Sequence, residues 1–460
     1  MNFHHFKSRC FFIAGVSLAV FVLPGNGSAS QLVRPEFVQQ QKQATRKLIL
    51  PSGVTLILRH LPGSGITSMA VGFSAGSSVT EPGKRVLPDW MFSSMSKAAK
   101  GYPKVRMNAL LEKYSIGMGC GSGVEFSSCS VTSLSEYWDK AFPAFAAALF
   151  HPLFDAQDVK LQRERMEASF QSIAEEPGSY SNDVVNRVFY PAGHPYRLLR
   201  EEALKELGSL HRNDLIAYHK QVLEGPPPVV VVVSDIPEEK IVADLQRIFG
   251  NWKGKPTVFP GVTPPSFDAN DFMAIEDRDI PTAYIRLKFP AIGANAPEAV
   301  ASRLMFEIFN EELWDEVRTR RSLSYGVGAS QIQYRMGIGS ISVSTSKPQE
   351  ALDAISGVIQ RMKAKKFSQA ELDRFKVVFS TSYFATQETH GSLATALLNS
   401  WQYFGTTDRL YDLPAELERV TPDDVQRLAR NVLTKMRAGV VYSKAKFNVQ
   451  WVKSFNDRIK

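Results

Sequence analysis

Apolar residues recur along this chain with two different periods, and turn residues divide it into elements. Lys47 to Leu50 and Val54 to Leu58 are short apolar runs separated by Pro51, Ser52 and Gly53, the pattern of a hairpin. Thr67 to Ser74 predicts another strand. Gly117 to Leu134, rich in Ser, Val, Thr and Cys, predicts a strand pair whose turn falls near Gly123 and Val124. Helical spacing marks Val86 to Lys97, Val105 to Tyr114, Tyr137 to Leu149, Ala156 to Ile173 and Arg212 to Leu223. Pro226 to Pro228 then stop the chain. Five consecutive valines follow, Val229 to Val233; without polar alternation they predict a strand buried on both faces. A helix over Ile241 to Phe249 leads into residues 251–268, rich in Gly and Pro and without periodicity, which we assign as a linker.

The second half replays the first. Leu207, Asp214, Leu215 and Leu223 recur with the same spacings as Leu417, Asp424, Val425 and Leu433. Each copy runs into a β-rich apolar stretch, Val229 to Val233 and then Ala438 to Tyr442. The offset of about 210 residues is far longer than any solenoid period and indicates two duplicated domains, over 47–250 and 269–460.

Composition narrows the class. With 460 residues and 44% hydrophobic content, the chain is long enough for two buried cores. The net charge of +8 is scattered: no long Lys/Arg run stands out, and no basic stretch is interleaved with aromatics, so nucleic-acid binding is not indicated. Lys7 and Arg9, the apolar run Phe11 to Leu23, and the small residues Gly27 to Ser30 follow the order of a cleavable export signal over residues 1–30. The apolar run is short for a membrane span. The expected location is therefore outside the cytoplasm, periplasmic in a Gram-negative bacterium, with no stable span after cleavage. A polar, Gln-rich lead-in occupies 31–46. Cys10 leaves with the signal; Cys120 and Cys129 remain, as a disulfide or as two buried thiols.

Three chemistries can be weighed on the residues alone. The six remaining histidines, His60, His151, His194, His211, His219 and His390, include no pair three or four apart, so no helix turn carries two imidazole ligands for zinc. Gly72 to Gly76 fits G-x-S-x-G around Ser74, but Ser77 to Gly83 do not start the helix that a nucleophile elbow needs. Ser94 to Lys97 fits S-x-x-K without a later K-T-G.

Several runs taken together resemble the pitrilysin/insulinase-type zinc peptidases, which include the mitochondrial processing peptidases. Gly76 and Ser77, Glu81 to Gly83, and then Asp89 to Ser93 with Lys97 and Tyr102 look like that family's approach to its zinc helix and the run after it. His151 to Phe154 is similar to N-P-x-F, Gly193 to Tyr196 to G-H-P-Y, and Leu210 to Tyr218 to L-T-x-x-D-L-x-x-F/Y. Leu313 to Arg318, with Arg321, Leu323 and Tyr325, is similar to L-x-x-E-L-R-x-x-R-G-L-A-Y. The matches extend from about Leu50 to about Leu433 in the family's order. The resemblance implies an α+β fold in two homologous domains, each a mostly antiparallel sheet packed with helices on one side, forming a clam-like chamber.

The departures bear on function. In the family, H-x-x-E-H supplies two zinc ligands and a general base. Here Asp89, Phe92 and Ser93 occupy those places, and Ser169 stands where a later helix brings the third ligand; Glu167 lies two positions away and points elsewhere. The resemblance therefore implies a chain with no metal of its own. It also matches Arg321 and Tyr325 to a second-domain Arg and Tyr that hold substrate and stabilise the oxyanion, with the Arg ending a helix and the Tyr opening a strand. The expected role is that of the non-zinc subunit of a two-chain peptidase, acting on peptide bound at the zinc of a homologous partner. A peptide-binding scaffold and a serine hydrolase using Ser74 or Ser94 are the alternatives.

Overall fold

The computed structural model describes residues 32–255, 261–266 and 272–460. The expected export signal lies outside the described residues, and the expected linker lies partly outside them.

Strands β1 (Thr45–Ile49), β2 (Thr55–His60), β3 (Ile66–Phe73), β4 (Gly117–Ser122), β5 (Ser127–Leu134) and β6 (Val229–Ser234) form one sheet in the order β1-β2-β6-β3-β5-β4. The β1–β2 hairpin closes at Gly53, whose φ of 83° is the left-handed conformation that glycine adopts without strain. Strands β7 (Met273–Asp277), β8 (Ala283–Ala291), β9 (Gly326–Gln333), β10 (Gly337–Thr345) and β11 (Arg437–Tyr442) form a second sheet in the order β7-β11-β8-β10-β9. This order repeats β2-β6-β3-β5-β4. In both sheets the late strand runs parallel to its first neighbour and antiparallel to its second, and the remaining pairs are antiparallel. The chain is thus an α+β protein of two homologous halves.

The repeated acid of the two halves has the same local task in each. Asp214 accepts a hydrogen bond from the His211 main-chain N–H (2.7 Å) at the start of helix Arg212–Glu224. Asp424 accepts from the Thr421 main-chain N–H (3.0 Å) and hydroxyl (2.7 Å) at the start of helix Pro422–Val432. Both satisfy donors that helix entry leaves unpaired.

The five-valine strand shows how the halves are joined. Val230 and Val232 face Trp90, Trp138, Phe142 and Leu215 of their own half. Val231 and Val233 face the other way and pack, with Ile57 and Ala70, on Ala394, Leu397 and Leu398 of helix His390–Phe404, which belongs to the second half. In return, helix Pro177–Phe189 of the first half lies on the second sheet, where Tyr180 and Val184 pack on Val441. Each sheet is therefore covered on one face by its own helices and on the other by a crossing helix from its twin. The expectation of helices on one side holds for each half's own helices, and the exchange adds the second layer. Glycines sit where the crossing helices come closest: a Cβ on Gly439 would lie 2.3 Å from the Val185 main-chain nitrogen, and one on Gly72 would lie 2.6 Å from Leu398 Cδ1.

Lys288 on β8 is buried, and its Nζ donates to Asn186 Oδ1 (2.6 Å) on the crossing helix. Burial, reinforced by the neighbouring Arg286 charge and opposed by Asp183, brings its pKa down to about 7. An unfolded lysine titrates near pH 10.4. Between these values the unfolded chain binds the extra proton, so this residue makes stability rise with pH from about 7 to about 10.4 and adds no slope below pH 7. Lys288→Met is expected to remove that rise. Urea unfolding midpoints of both proteins at neutral and alkaline pH check this; an equal rise in the two proteins would refute it.

Cys120 and Cys129 stand opposite each other in the β4–β5 register and are joined as a disulfide, which decides between the two expectations. The hairpin turns at Gly123, whose N–H donates to the Phe126 carbonyl (2.7 Å). No helix among the described residues is long and apolar enough to cross a membrane.

Candidate functional site

Helix Leu87–Met95 carries three of the four positions at issue. It packs through Trp90, Met91, Phe92 and Met95, and the Trp90 indole donates to the Val159 carbonyl (3.2 Å) on helix Ala156–Glu175. Phe92 is fully buried against Phe73, their ring centres 5.6 Å apart, so it serves the core. The Ser93 hydroxyl donates to the Trp90 carbonyl (3.2 Å). Asp89 keeps contact with solvent, yet protein crowds it: burial raises its pKa against an opposing hydrogen bond from the Ser122 main chain. Ser169 is exposed on the later helix, and Glu167 is held by Arg163 (2.9 Å). Asp89 has no second ligand, and no three His, Cys, Asp or Glu residues converge on a possible metal position among the described residues. These residues do not fit a zinc ion.

Two histidines of the first half, His194 and His219, are structural. His219 is buried, with Nε2 at 2.8 Å from the Leu149 carbonyl, and burial lowers its pKa. His194 of the G-H-P-Y run has Nε2 at 3.2 Å from the Thr263 carbonyl, while its Nδ1 accepts from the Tyr196 N–H (3.1 Å). The Tyr196 hydroxyl in turn donates to Glu125, a buried carboxylate at the β4–β5 turn. Glu125 also accepts from the Arg335 main-chain N–H (3.1 Å) at the β9–β10 turn. The equivalent hairpins of the two halves thus meet on one carboxylate. Sequence reading passed over Glu125, because nothing local distinguishes it from a surface turn residue.

Neither serine has the surroundings of a nucleophile. Ser94 is buried, and its hydroxyl donates to the Trp90 carbonyl (2.7 Å). Ser74 follows β3 directly and is exposed, but the chain continues into a single 3₁₀ turn, Ser77–Val79, rather than an α-helix. It borders a cavity of about 650 Å³ together with Glu81, Lys84, Asp214 and Tyr218, with no histidine on the wall.

Arg321 and Tyr325 sit at an unusual junction. Helix Ala299–Leu313 widens into a π-helical stretch, Trp314–Arg320, then turns through Ser322 at φ 51° into β9. Such stretches cost backbone energy and recur at functional sites. Glu316 is buried and anchors the junction: it accepts from Arg321 Nε (2.6 Å) and from Arg361 (3.0 Å). Burial alone would raise its pKa; the Arg321 hydrogen bond and the Arg361 charge outweigh burial and lower it. Tyr325 is 86% exposed, and its hydroxyl has no hydrogen-bond partner among the described residues. The Arg318 guanidinium lies over the Trp314 ring (4.1 Å) and the Tyr325 ring (4.7 Å). Close to the expectation, Arg321 caps the π-helical stretch and Tyr325 stands immediately before β9. Glu316 and Arg318 were not singled out, although both lie in the run that carries the resemblance.

Two twinned α+β halves with exchanged helices, and a first-half helix without metal ligands, define the class of this protein: a duplicated two-domain fold with a degenerate metal position. Residues 209–377 match the family model of the peptidase M16 inactive domain. The Bacillus subtilis uncharacterized zinc protease YmxG is 19% identical over 396 residues, covering 84% of this chain and 94% of that protein. The structure of a peptidase M16 inactive domain from Pseudomonas fluorescens superposes with a TM-score of 0.78 at 19% identity, covering 87% of this chain and 98% of that one. The periplasmic protease PqqL of Escherichia coli superposes with a TM-score of 0.76 at 16% identity; 94% of this chain is covered, but only 49% of that one. The chain is thus similar to the pitrilysin/insulinase-type peptidases, family M16: residues 209–377 match the inactive-domain model, the two-domain fold is shared, and the sequence carries no H-x-x-E-H zinc motif.

Proposed function

We propose that this chain is the exported, non-zinc subunit of a two-chain pitrilysin-like peptidase, holding peptide while a homologous partner supplies the zinc. The exposure of Tyr325 carries this reading. An apolar ring with an unpartnered hydroxyl is left in solvent on a strained junction, stacked by Arg318 and four residues along the chain from the Arg321 that Glu316 holds in place. A phenol donor and a fixed cation at a surface suit an oxyanion formed on a substrate that another chain presents. The length of the E. coli protease supports the pairing, since this chain spans about half of it. The Cys120–Cys129 disulfide supports export, and the periplasm in a Gram-negative bacterium.

The test is reconstitution. A homologous chain with an intact H-x-x-E-H, from the same organism, should co-elute with this one in size-exclusion chromatography and cleave peptides faster than either chain alone. Failure of every such homologue to associate would leave a peptide-binding scaffold. A companion expectation concerns metal: the purified chain, dialysed mildly, should hold no stoichiometric zinc by elemental analysis. About one zinc per chain, lost in Asp89→Ala, would contradict the degenerate-site reading.

A further inference from the structure

Two buried arginines of this chain find acceptors for their terminal N–H groups. Arg85 donates to the carbonyls of His194, Arg197 and Gly193, and Arg59 donates to the carbonyl and side-chain oxygens of Gln41. Arg303, on helix Ala299–Leu313, differs. It is half-buried, and burial lowers its pKa against the opposing influence of Tyr383 and Glu307. Its guanidinium lies over the rings of Phe379 (5.0 Å) and Tyr383 (5.8 Å). Among the described residues it has no carboxylate at ion-pair distance and no hydrogen-bond acceptor. Its five N–H donors have no protein acceptor among the described residues.

Arg303 borders a cavity of about 250 Å³ between its own helix and the crossing helix His390–Phe404. Val300, Phe404, Leu410 and Leu413 make much of the wall apolar. The polar wall groups other than Arg303 are mostly committed. Gln333 donates to the Ala299 carbonyl (2.8 Å), Tyr383 to the Leu410 carbonyl (2.9 Å) and Ser400 to the Thr406 carbonyl (2.8 Å), while Arg409 is paired with Glu416. The Asn399 amide, also without a partner among the described residues, is a second donor on the wall. One uncompensated guanidinium in a small apolar hollow matches a single anionic group on an apolar body. A phosphate, with more charge to neutralise and no apolar part, suits it less.

We propose that this cavity binds an organic carboxylate with a short apolar group, gripped by Arg303 in the two-pronged geometry that guanidinium and carboxylate share. The C-terminus of a peptide ending in a small apolar residue and a free short-chain carboxylic acid share this chemistry. The site is separate from Arg321 and Tyr325: Gln333 ends β9, whereas Tyr325 precedes its first residue, so roughly 25 Å of strand lies between them. It does not rest on the proposed pairing and is tested on this chain alone.

The test is calorimetric titration and thermal melting of the purified chain with acetyl-Ala-Val, its C-terminal amide, pentanoate and inorganic phosphate. The carboxylates should bind saturably and raise the melting temperature, and the amide and phosphate should not. Tighter binding of the dipeptide than of pentanoate assigns a peptide end; equal or tighter binding of pentanoate assigns a free acid. Arg303→Met should weaken carboxylate binding at least about tenfold, since it removes the charge-assisted pair. Arg303→Lys, which keeps the charge and loses the fork, should bind weakly. Absence of saturable carboxylate binding, equal stabilisation by phosphate, or a lowered melting temperature in Arg303→Met with undiminished binding would each overturn the proposal, the last by making Arg303 a packing residue of its two aromatic neighbours.

Discussion

Tyr325→Phe in the reconstituted pair is expected to lower peptide turnover about a hundredfold, equivalent to the roughly 3 kcal/mol that one preorganised oxyanion donor supplies. The substitution removes a hydroxyl that has no intramolecular partner among the described residues and keeps the ring on which Arg318 stacks, so the chain itself should be as stable as before. Peptide affinity should change less than turnover, because the donor acts on charge that develops only as the carbonyl is attacked. Arg321→Ala should lower turnover by a similar factor, but it also removes one of the cations around the buried Glu316 carboxylate. Arg361 keeps Glu316 paired at 3.0 Å in that variant, so the junction should hold and assembly should persist. Steady-state cleavage assays, with assembly checked by size-exclusion chromatography, read both effects. Normal turnover in both variants would reject a shared site and leave the scaffold.

Gly439→Ala is expected to destabilise the chain by about 3 kcal/mol, the upper end of what overpacking costs. The added Cβ would meet the Val185 nitrogen at 2.3 Å and the Ser181 carbonyl oxygen at 2.7 Å, which are backbone atoms of the crossing helix and cannot swing away. The helix would have to lift from the second sheet and uncover Val441. The matching change at Gly72 meets Leu398 and Gln402 side chains, which can change rotamer, so Gly72→Ala should cost about 1 kcal/mol. The entropic gain from losing a glycine, about 0.4–1 kcal/mol, offsets part of each cost but reverses neither. Urea unfolding decides between these outcomes. Equal midpoints for Gly439→Ala and the parent chain would mean that the crossing helix does not lie as close as described.

Much of the architecture was legible along the chain because it depends on local pattern. The hairpin at Gly53, the paired strands holding Cys120 and Cys129, and the doubled helix caps at Asp214 and Asp424 all follow from turn chemistry and short-range spacing. The valine run announced burial on both faces, since neither face carries a polar residue. What covers the second face was not legible. Helix His390–Phe404 reaches Val231 and Val233 from about 160 residues further along the chain. A helix that packs on its twin's sheet has the same amphipathic pattern as one that packs at home.

The site divides in the same way. The donor poverty of Phe92, Ser93 and Ser169 is a matter of residue identity and was legible in the sequence: Phe has no donor atom and a serine hydroxyl is a poor ligand. Only the tertiary structure decided that Phe92 is core, that Ser94 is committed to a carbonyl, and that Glu125 joins two distant turns. It likewise decided that Glu316 holds Arg321 while Tyr325 stands in solvent, and that Arg303 lacks the acceptors supplied to Arg59 and Arg85. Exposure and pairing depend on what the remainder of the chain places within a few ångströms of a side chain. A linear pattern names the side chain and leaves its neighbours to the fold.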